Sequence, residues 1–128
     1  MTVFEVGAEG GLNPVQTLSA LEEGQEAEGN SGADIHLTPD GRFLYASVRG
    51  DDSIAGYTVE ADGQLTWLGR TDTETRPREF SVTADGRFLV VAGQVSGNVA
   101  SYRIGDDGSL ELLDTEEVGD DLLWVAIE

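Results

Sequence analysis

Hydrophobic and polar residues alternate along most of the chain, in short runs separated by turn signals. In the middle of the sequence these runs cover residues 34–38, 42–48, 53–59 and 65–70. Asp40-Gly41 joins the first two runs and Asp62-Gly63 joins the last two. Asp-Gly between two such runs favours a hairpin, because glycine accepts the positive φ that a tight turn needs. The pattern therefore predicts a four-stranded antiparallel meander, and no helix is predicted anywhere in the chain.

The pattern occurs twice. The phrase "TPDGRFLYAS" at residues 38–47 returns as "TADGRFLVVA" at residues 83–92, and the alignment at this offset of 45 runs without a gap from Asp40 to Leu68. A period of about 40–45 residues with four strands in each unit is typical of β-propeller blades. We therefore predict an all-β protein with one blade over residues 33–76 and a second over residues 77–121.

The two ends of the chain align with incomplete blades. Residues 1–20 match the third and fourth strands of a blade, residues 21–32 form an acidic loop, and residues 122–128 match a first strand. Together these segments amount to between two and three blades, whereas a closed propeller has about four to eight. We expect the remaining blades to come from a longer propeller or from further copies of the chain that complete a ring.

The charge balance limits the partners that the chain can have. Twenty-five acidic residues face seven basic ones, all of them arginine, and the formal net charge is −18. Such a surface repels nucleic acid and anionic membranes, so we expect neither as a partner. Concentrated salt screens this repulsion, and the composition is typical of a salt-loving organism. The chain has no cysteine, no run long enough for a membrane span and no signal-like start, so a cytoplasmic location is expected.

The motifs "ADIHLTPDGRFLYASVR" and "TETRPREFSVTADGRFLVVAGQ" resemble the C-terminal part of the lactonase family of seven-bladed β-propellers. That family includes 6-phosphogluconolactonases and carboxymuconate-lactonising enzymes. The resemblance implies hydrolysis of a sugar lactone, and it matches Arg49 to an arginine proposed to act at the family's active site. A histidine, an arginine and a glutamate also proposed for that site lie in earlier blades, and His36 does not correspond to that histidine.

Differences between the two repeats indicate where a site lies. Residues beside the turns are identical, as a scaffold requires, whereas the far ends of the inner hairpins differ: His36 aligns with Ser81, Arg49 with Gln94 and Ala33 with Arg78. The innermost strands of a propeller surround the channel, and alternation places Asp34 and His36 on one face of their strand. We predict catalytic roles for Arg49, His36 and Asp34.

Arginine placement supports this interpretation. Arg49, Arg76 and Arg78 cluster toward the same end of an otherwise acidic chain, and arginine presents a fork of donors that matches carboxylate or phosphate. We predict that Arg78 and Gln94 bind substrate. The alternative is that each arginine pairs with a local acid such as Asp51, Glu74 or Glu79, and that His36 is a satisfied structural residue.

The function expected from these features is hydrolysis of a sugar lactone such as 6-phosphogluconolactone. A base would deprotonate water and a cation would stabilise the oxyanion, with no cofactor and no metal. The paired aspartates at residues 51–52, 106–107 and 120–121 fit solvated turns better than a Ca²⁺ loop. The partner would be a small anionic sugar lactone or sugar acid. The alternative is a propeller module that binds ligand or assembles without turnover.

Overall fold

The computed structural model describes residues 1–127 and contains ten β-strands and no helix within them. The strands are β1 (Thr2–Val6), β2 (Leu12–Thr17), β3 (Gly32–Leu37), β4 (Phe43–Val48), β5 (Ser53–Val59), β6 (Leu65–Asp72), β7 (Pro77–Val82), β8 (Phe88–Gly93), β9 (Asn98–Ile104) and β10 (Leu110–Glu117). The predicted all-β fold is confirmed.

The strands form three antiparallel sheets that follow chain order. β1 and β2 make a two-stranded N-terminal hairpin, β3–β6 make a four-stranded central blade, and β7–β10 make a four-stranded C-terminal blade. Leu37 lies opposite Leu44 across the first turn, in the register that the two-residue Asp40-Gly41 connection predicts. Gly41 and the equivalent Gly86 adopt φ values of 73° and 70°, the left-handed conformation that favours glycine there.

Adjacent sheets pack face to face over two apolar clusters. The cluster between the two blades centres on Tyr45, Phe80 and Leu89, none of them more than 1% exposed. The second cluster, around Tyr57, lies between the central blade and the N-terminal hairpin. Tyr45 also donates a hydrogen bond of 2.8 Å to the Gly108 carbonyl, so the outermost turn of one blade is fixed to the core of its neighbour.

The two inner strands, β3 and β7, carry a bulge at the same place. In β3 the register shifts between Gly32 and Ile35, and in β7 it shifts between Pro77 and Glu79. In β3 the backbone N–H of Asp34 donates a hydrogen bond to the Ser47 side chain, at Oγ and 3.0 Å, and not to the Ser47 backbone. A bulge redirects the side chains beside it, and bulges occur frequently next to functional sites.

The first strand expected at residues 122–128 is not formed within the described part of the chain. Residues 122–127 make no strand, and Glu128 lies outside the described residues. A strand requires a hydrogen-bonded neighbour, and residues 122–127 pair with none of the described strands. Residues 124–127 nevertheless line a cavity together with Asp34, His36 and β7, which places them beside the inner strands.

Candidate functional site

Asp34 connects the inner strands of the two blades. Its Oδ1 atom accepts the Ile35 N–H at 2.8 Å, and its Oδ2 atom accepts the Phe80 N–H of β7 at 3.1 Å. The same Oδ2 lies 3.0 Å from His36 Nε2. The prediction that Asp34 and His36 share a face of β3 is confirmed by this contact. Because these contacts engage both of its oxygens, Asp34 acts as a fixed acceptor at the junction of the blades.

His36 is held from two sides. Asp34 contacts its Nε2, and the Phe80 ring meets the imidazole edge to face, with centroids 4.9 Å apart and an interplanar angle of 73°. Its side chain is 39% exposed, against 19% for Asp34. The remaining ring nitrogen, Nδ1, is the one left available for a proton or a ligand.

Arg49 lies one residue beyond the end of β4, at the far end of the inner hairpin. Its backbone N–H donates to the Ser31 carbonyl at 2.9 Å, and its Nε is a buried nitrogen with no hydrogen-bond partner in the described chain. Asp51, which could have paired with it, is bound by Arg70 at 2.8 Å. A buried guanidinium N–H without a partner costs free energy. This nitrogen is closed to solvent, and other atoms of the half-buried Arg49 side chain line the cavity described next.

Arg78 occupies the bulge in β7 and is exposed. It shares a cavity of about 200 Å³ with Arg49, whose other lining residues are Gly32, Ala33 and Glu79. Within residues 1–127 neither arginine forms an ion pair, whereas Arg70 and Arg103 do. Two arginines without an ion pair at one cavity concentrate positive charge in a chain of net charge −18, beside the one carboxylate of Glu79.

Glu79 is the residue that sequence reasoning did not assign to the site. It lines the arginine cavity and also the cavity at Asp34 and His36, so it lies between the two groups of predicted residues. Burial and the charge of Asp34 raise the pKa of Glu79, against the opposing effects of His36 and Arg78. The repeat contained the signal, because Glu79 is 45 positions after Asp34 and places a second carboxylate at the equivalent position.

Asp34, His36 and Glu79 form a compact polar cluster, with one ligand-type atom of each within 4.8 Å of the others. Asp34 Oδ2 is already bonded to the Phe80 N–H, and positive charge from Arg78 acts on Glu79. The expected absence of metal and cofactor stays a prediction.

Gln94 and Arg76 are not brought to the arginine cavity. Gln94 donates from Nε2 to Asp121 Oδ1 at 2.9 Å, and its backbone N–H donates to the Arg76 carbonyl at 3.1 Å. Arg76 has a positive φ of 55°, and its backbone N–H donates to Asp52 Oδ1. Both residues contribute to loop structure, and the substrate-binding role predicted for Gln94 has no support from its contacts.

A second groove, of about 240 Å³, lies between the outer parts of the two blades. Its one arginine, Arg70, is paired with both Asp51 and Asp72, and Tyr45 is bonded to Gly108. Its arginine and its tyrosine are therefore already bonded within the protein. We assign this groove to blade packing and the arginine cavity to the candidate site.

The architecture and the site define a class of protein: a β-propeller segment with a polar, arginine-bearing end of its inner strands. The chain matches the model of the family described as lactonase, 7-bladed beta-propeller, over residues 1–127. The chain belongs to this family, as its motifs indicated.

Known relatives agree with this assignment. The 6-phosphogluconolactonase of Pectobacterium carotovorum is 45% identical over 76 residues, which cover 59% of this chain and 23% of the relative. The periplasmic gluconolactonase of Pseudomonas aeruginosa superposes with a TM-score of 0.84 at 31% identity, covering 93% of this chain and 34% of that one. A putative 6-phosphogluconolactonase of Bacteroides fragilis gives a TM-score of 0.84 at 32% identity, covering 95% and 34%.

The matched segment thus spans about a quarter of the curated relative and about a third of the solved structures. Among the described residues, no helix is long and apolar enough to cross a membrane.

Proposed function

We propose that the chain supplies one wall of a lactonase-type site in which a small anionic sugar lactone is bound and hydrolysed. The observation that carries the proposal is the pair of arginines, Arg49 and Arg78, unpaired at one cavity of an acidic chain. Family membership supplies the reaction class, and relatives named as gluconolactonase and 6-phosphogluconolactonase suggest the substrate class.

In this proposal Arg49 binds the oxygen at which negative charge develops when water attacks the ring ester. Arg49 lines the cavity with a half-buried side chain that has no ion-pair partner, and donors fixed in such a site stabilise a developing oxyanion more strongly than fully solvated ones. Arg78, exposed at the bulge, would hold a carboxylate or phosphate at the outer side of the cavity. The fixed Asp34 and His36 would position the polar cluster at the other side.

Binding can be tested without turnover. Calorimetric titration of gluconate and 6-phosphogluconate at molar salt should show binding to the wild-type chain and loss of it in Arg49→Ala. Arg87→Ala is the matched control, because it removes the same charge from an arginine that stacks on Phe88 beside a turn. Unchanged affinity in Arg49→Ala would remove Arg49 from the site.

A non-catalytic propeller module remains the competing function, because the chain spans only part of its relatives. Such a module would bind the sugar acid with the same arginines and would show no hydrolysis of the lactone above the spontaneous rate. Acid release from δ-gluconolactone and 6-phosphogluconolactone, measured with a pH indicator, separates the two functions.

Apolar side chains exposed on the central blade indicate that further strands cover it. Ile35 and Leu37 are 50% and 54% exposed on the face of the central blade that points toward the N-terminal hairpin. We propose that further strands cover this face, either from a longer propeller or from other copies of the chain. The mass in solution at molar salt distinguishes the two sources, since a ring-sized oligomer points to self-completion and a monomer points to a segment of a longer propeller.

The proposal also includes the partners that the chain avoids and its location in the cell. A net charge of −18 argues against nucleic acid or an anionic membrane as partner. The cytoplasmic location stays a prediction, and one structural neighbour is a periplasmic enzyme.

A further inference from the structure

We propose that Glu79 is the base that removes a proton from the attacking water, and that Asp34 and His36 are the positioning residues that hold it ready. This inference rests on the function proposed above and names the residue that performs its proton transfer. Nothing in the motif resemblance assigns Glu79, and the local pairing considered for it, a salt bridge with Arg78, is not formed within 4.0 Å.

The position of Glu79 is the first argument. Among the side chains at the inner strands, Glu79 is the one that lines both the arginine cavity and the cavity at Asp34 and His36. A lactone whose carbonyl oxygen meets Arg49 therefore has Glu79 beside it. His36 lines only the second of these cavities.

The freedom of its carboxylate is the second argument. Asp34 accepts hydrogen bonds from Ile35, Phe80 and His36, so both of its oxygens are engaged and Oδ2 has two partners. The Glu79 side chain accepts none from the described residues, although it is partly buried. Its oxygens can therefore accept a proton from a bound water, which a base must contact directly.

The charged groups around Glu79 tune it for this role. Asp34 and His36 face it from β3, Arg78 precedes it in β7, and Arg49 lies across the shared cavity. Burial first, and then the charge of Asp34, raise its pKa above the ordinary value of 4.5. A carboxylate whose pKa is raised toward the working pH is a stronger base and still ionised.

The proton transfer balances as follows in the proposed step. The water oxygen bonds to the lactone carbonyl carbon, its proton passes to Glu79, and the carbonyl π pair becomes the oxyanion at Arg49. The tetrahedral species then re-forms the carbonyl and breaks the bond to the ring oxygen, which takes the proton back from Glu79. The product is the open-chain sugar acid, and Glu79 is again ionised.

The test compares acid release and binding in Glu79→Gln, which preserves shape and removes the base. We expect kcat to fall by about 10²- to 10⁴-fold while calorimetric affinity for gluconate stays within about threefold, because Arg49 and Arg78 are intact. His36→Ser, which installs the residue of the next repeat, should lower kcat less than Glu79→Gln does. Glu116→Gln, an exposed outer-strand change, is the matched control.

Each outcome decides a different point. An active wild-type chain whose Glu79→Gln variant keeps kcat within about threefold overturns Glu79 as the base and leaves the proposed function standing. Loss of gluconate affinity in Glu79→Gln as well would make it a binding residue and would equally overturn the inference. A wild-type chain without acid release above the spontaneous rate contradicts the proposed function itself.

The pH profile provides a second readout. The acid limb of kcat in the wild-type chain should lie above the ordinary glutamate pKa, since the groups around Glu79 raise its value. Glu79→Asp should recover part of the lost kcat, because it restores a carboxylate at a shorter reach. A Glu79→Asp variant as inactive as Glu79→Gln, with both folded and binding gluconate, would contradict the assignment.

Discussion

The inner hairpins of the two blades share their contacts at the turn end and differ in their side chains at the far end. At the turn end the two blades use the same contacts: Thr38 and Thr83 each donate to the aspartate two residues later at 2.6 Å, and each accepts an N–H from a phenylalanine at 3.1 Å. At the far end the blades share a bulge but carry different side chains. Repetition therefore marks the scaffold, and departure from repetition marks the candidate site.

The turn end also shows what a purely structural arginine does in this chain. Arg42 and Arg87 each stack over the next phenylalanine ring, at 4.9 and 5.2 Å from its centroid. Arg49 and Arg78 have neither a ring nor an acid as partner among residues 1–127. The contrast separates arginines used for packing from arginines available to a ligand.

The largest expected effect comes from giving the first blade the far-end residue of the second. Arg49→Gln should weaken binding of 6-phosphogluconate by about 10- to 100-fold, since a hydrogen bond to a charged group contributes about 1.5–3 kcal/mol. The reverse change in the second blade, Gln94→Arg, should not restore the affinity that Arg49→Gln loses, because Gln94 contacts Asp121 away from the cavity. Calorimetry on both variants and on their combination measures this.

Thr38→Val tests the turn end. The change leaves the buried Phe43 N–H without its acceptor, and unfolding by urea should show a loss of about 1–3 kcal/mol. Thr83→Val should show the same loss or less, since Thr83 is more exposed. Affinity for gluconate should be unchanged in both, and a turn variant that loses affinity would break the distinction between the two ends.

Salt should raise the thermal stability of the chain and weaken its binding of gluconate. Raising the salt concentration to the molar range shortens the screening length to about 3 Å, which relieves the repulsion of a chain with net charge −18 and raises the unfolding temperature. The same screening should weaken gluconate binding at Arg49 and Arg78. Thermal unfolding and calorimetry over a salt series measure the unfolding temperature and the affinity. If the two rise together or fall together with salt, the account is contradicted.

The smallest expected effect is a difference in pH dependence. Hydrogen bonds from the Thr83 hydroxyl and the Arg87 N–H lower the pKa of Asp85, so its contribution to stability is present above pH 3.8 and is lost as pH falls through the folded value. Glu79 has a raised pKa, so the folded chain loses stability as pH rises from 4.5 through the folded value. At neutral pH, Asp85→Asn should therefore destabilise and Glu79→Gln should stabilise, as urea titrations at several pH values would show.

Much of the scaffold could be predicted from sequence because its determinants are local. The Asp40-Gly41 turn and the alternation beside it fix the register of β3 and β4, and the offset of 45 transfers the same hairpin to β7 and β8. The first strand predicted over residues 122–128 is not formed in the described residues 122–127, because a strand depends on a partner, which no local pattern reports.

The site was only partly predictable. The pairing of Asp34 with His36 follows from alternation, and the proximity of Arg49 to Arg78 follows from stacking two hairpins. The bulges at Ala33 and Arg78 have no sequence signature, so the placement of Arg78 and Glu79 at one cavity could not be derived. The contact of Gln94 with Asp121, 27 residues away in a loop, could not be derived from the repeat either, and the substrate-binding role of Gln94 stays a prediction.

The central claim is that the far ends of the inner hairpins bind an anionic sugar acid while the turn ends do not. A crystal structure of the chain grown with 6-phosphogluconate at molar salt tests this most directly. We predict an anionic group of the ligand at hydrogen-bond distance from the Arg49 guanidinium, with Arg78 on the same ligand and Glu79 facing its carboxyl carbon. Ligand bound beside Arg42 or Arg87, with the cavity at Arg49 occupied only by water, would contradict the account.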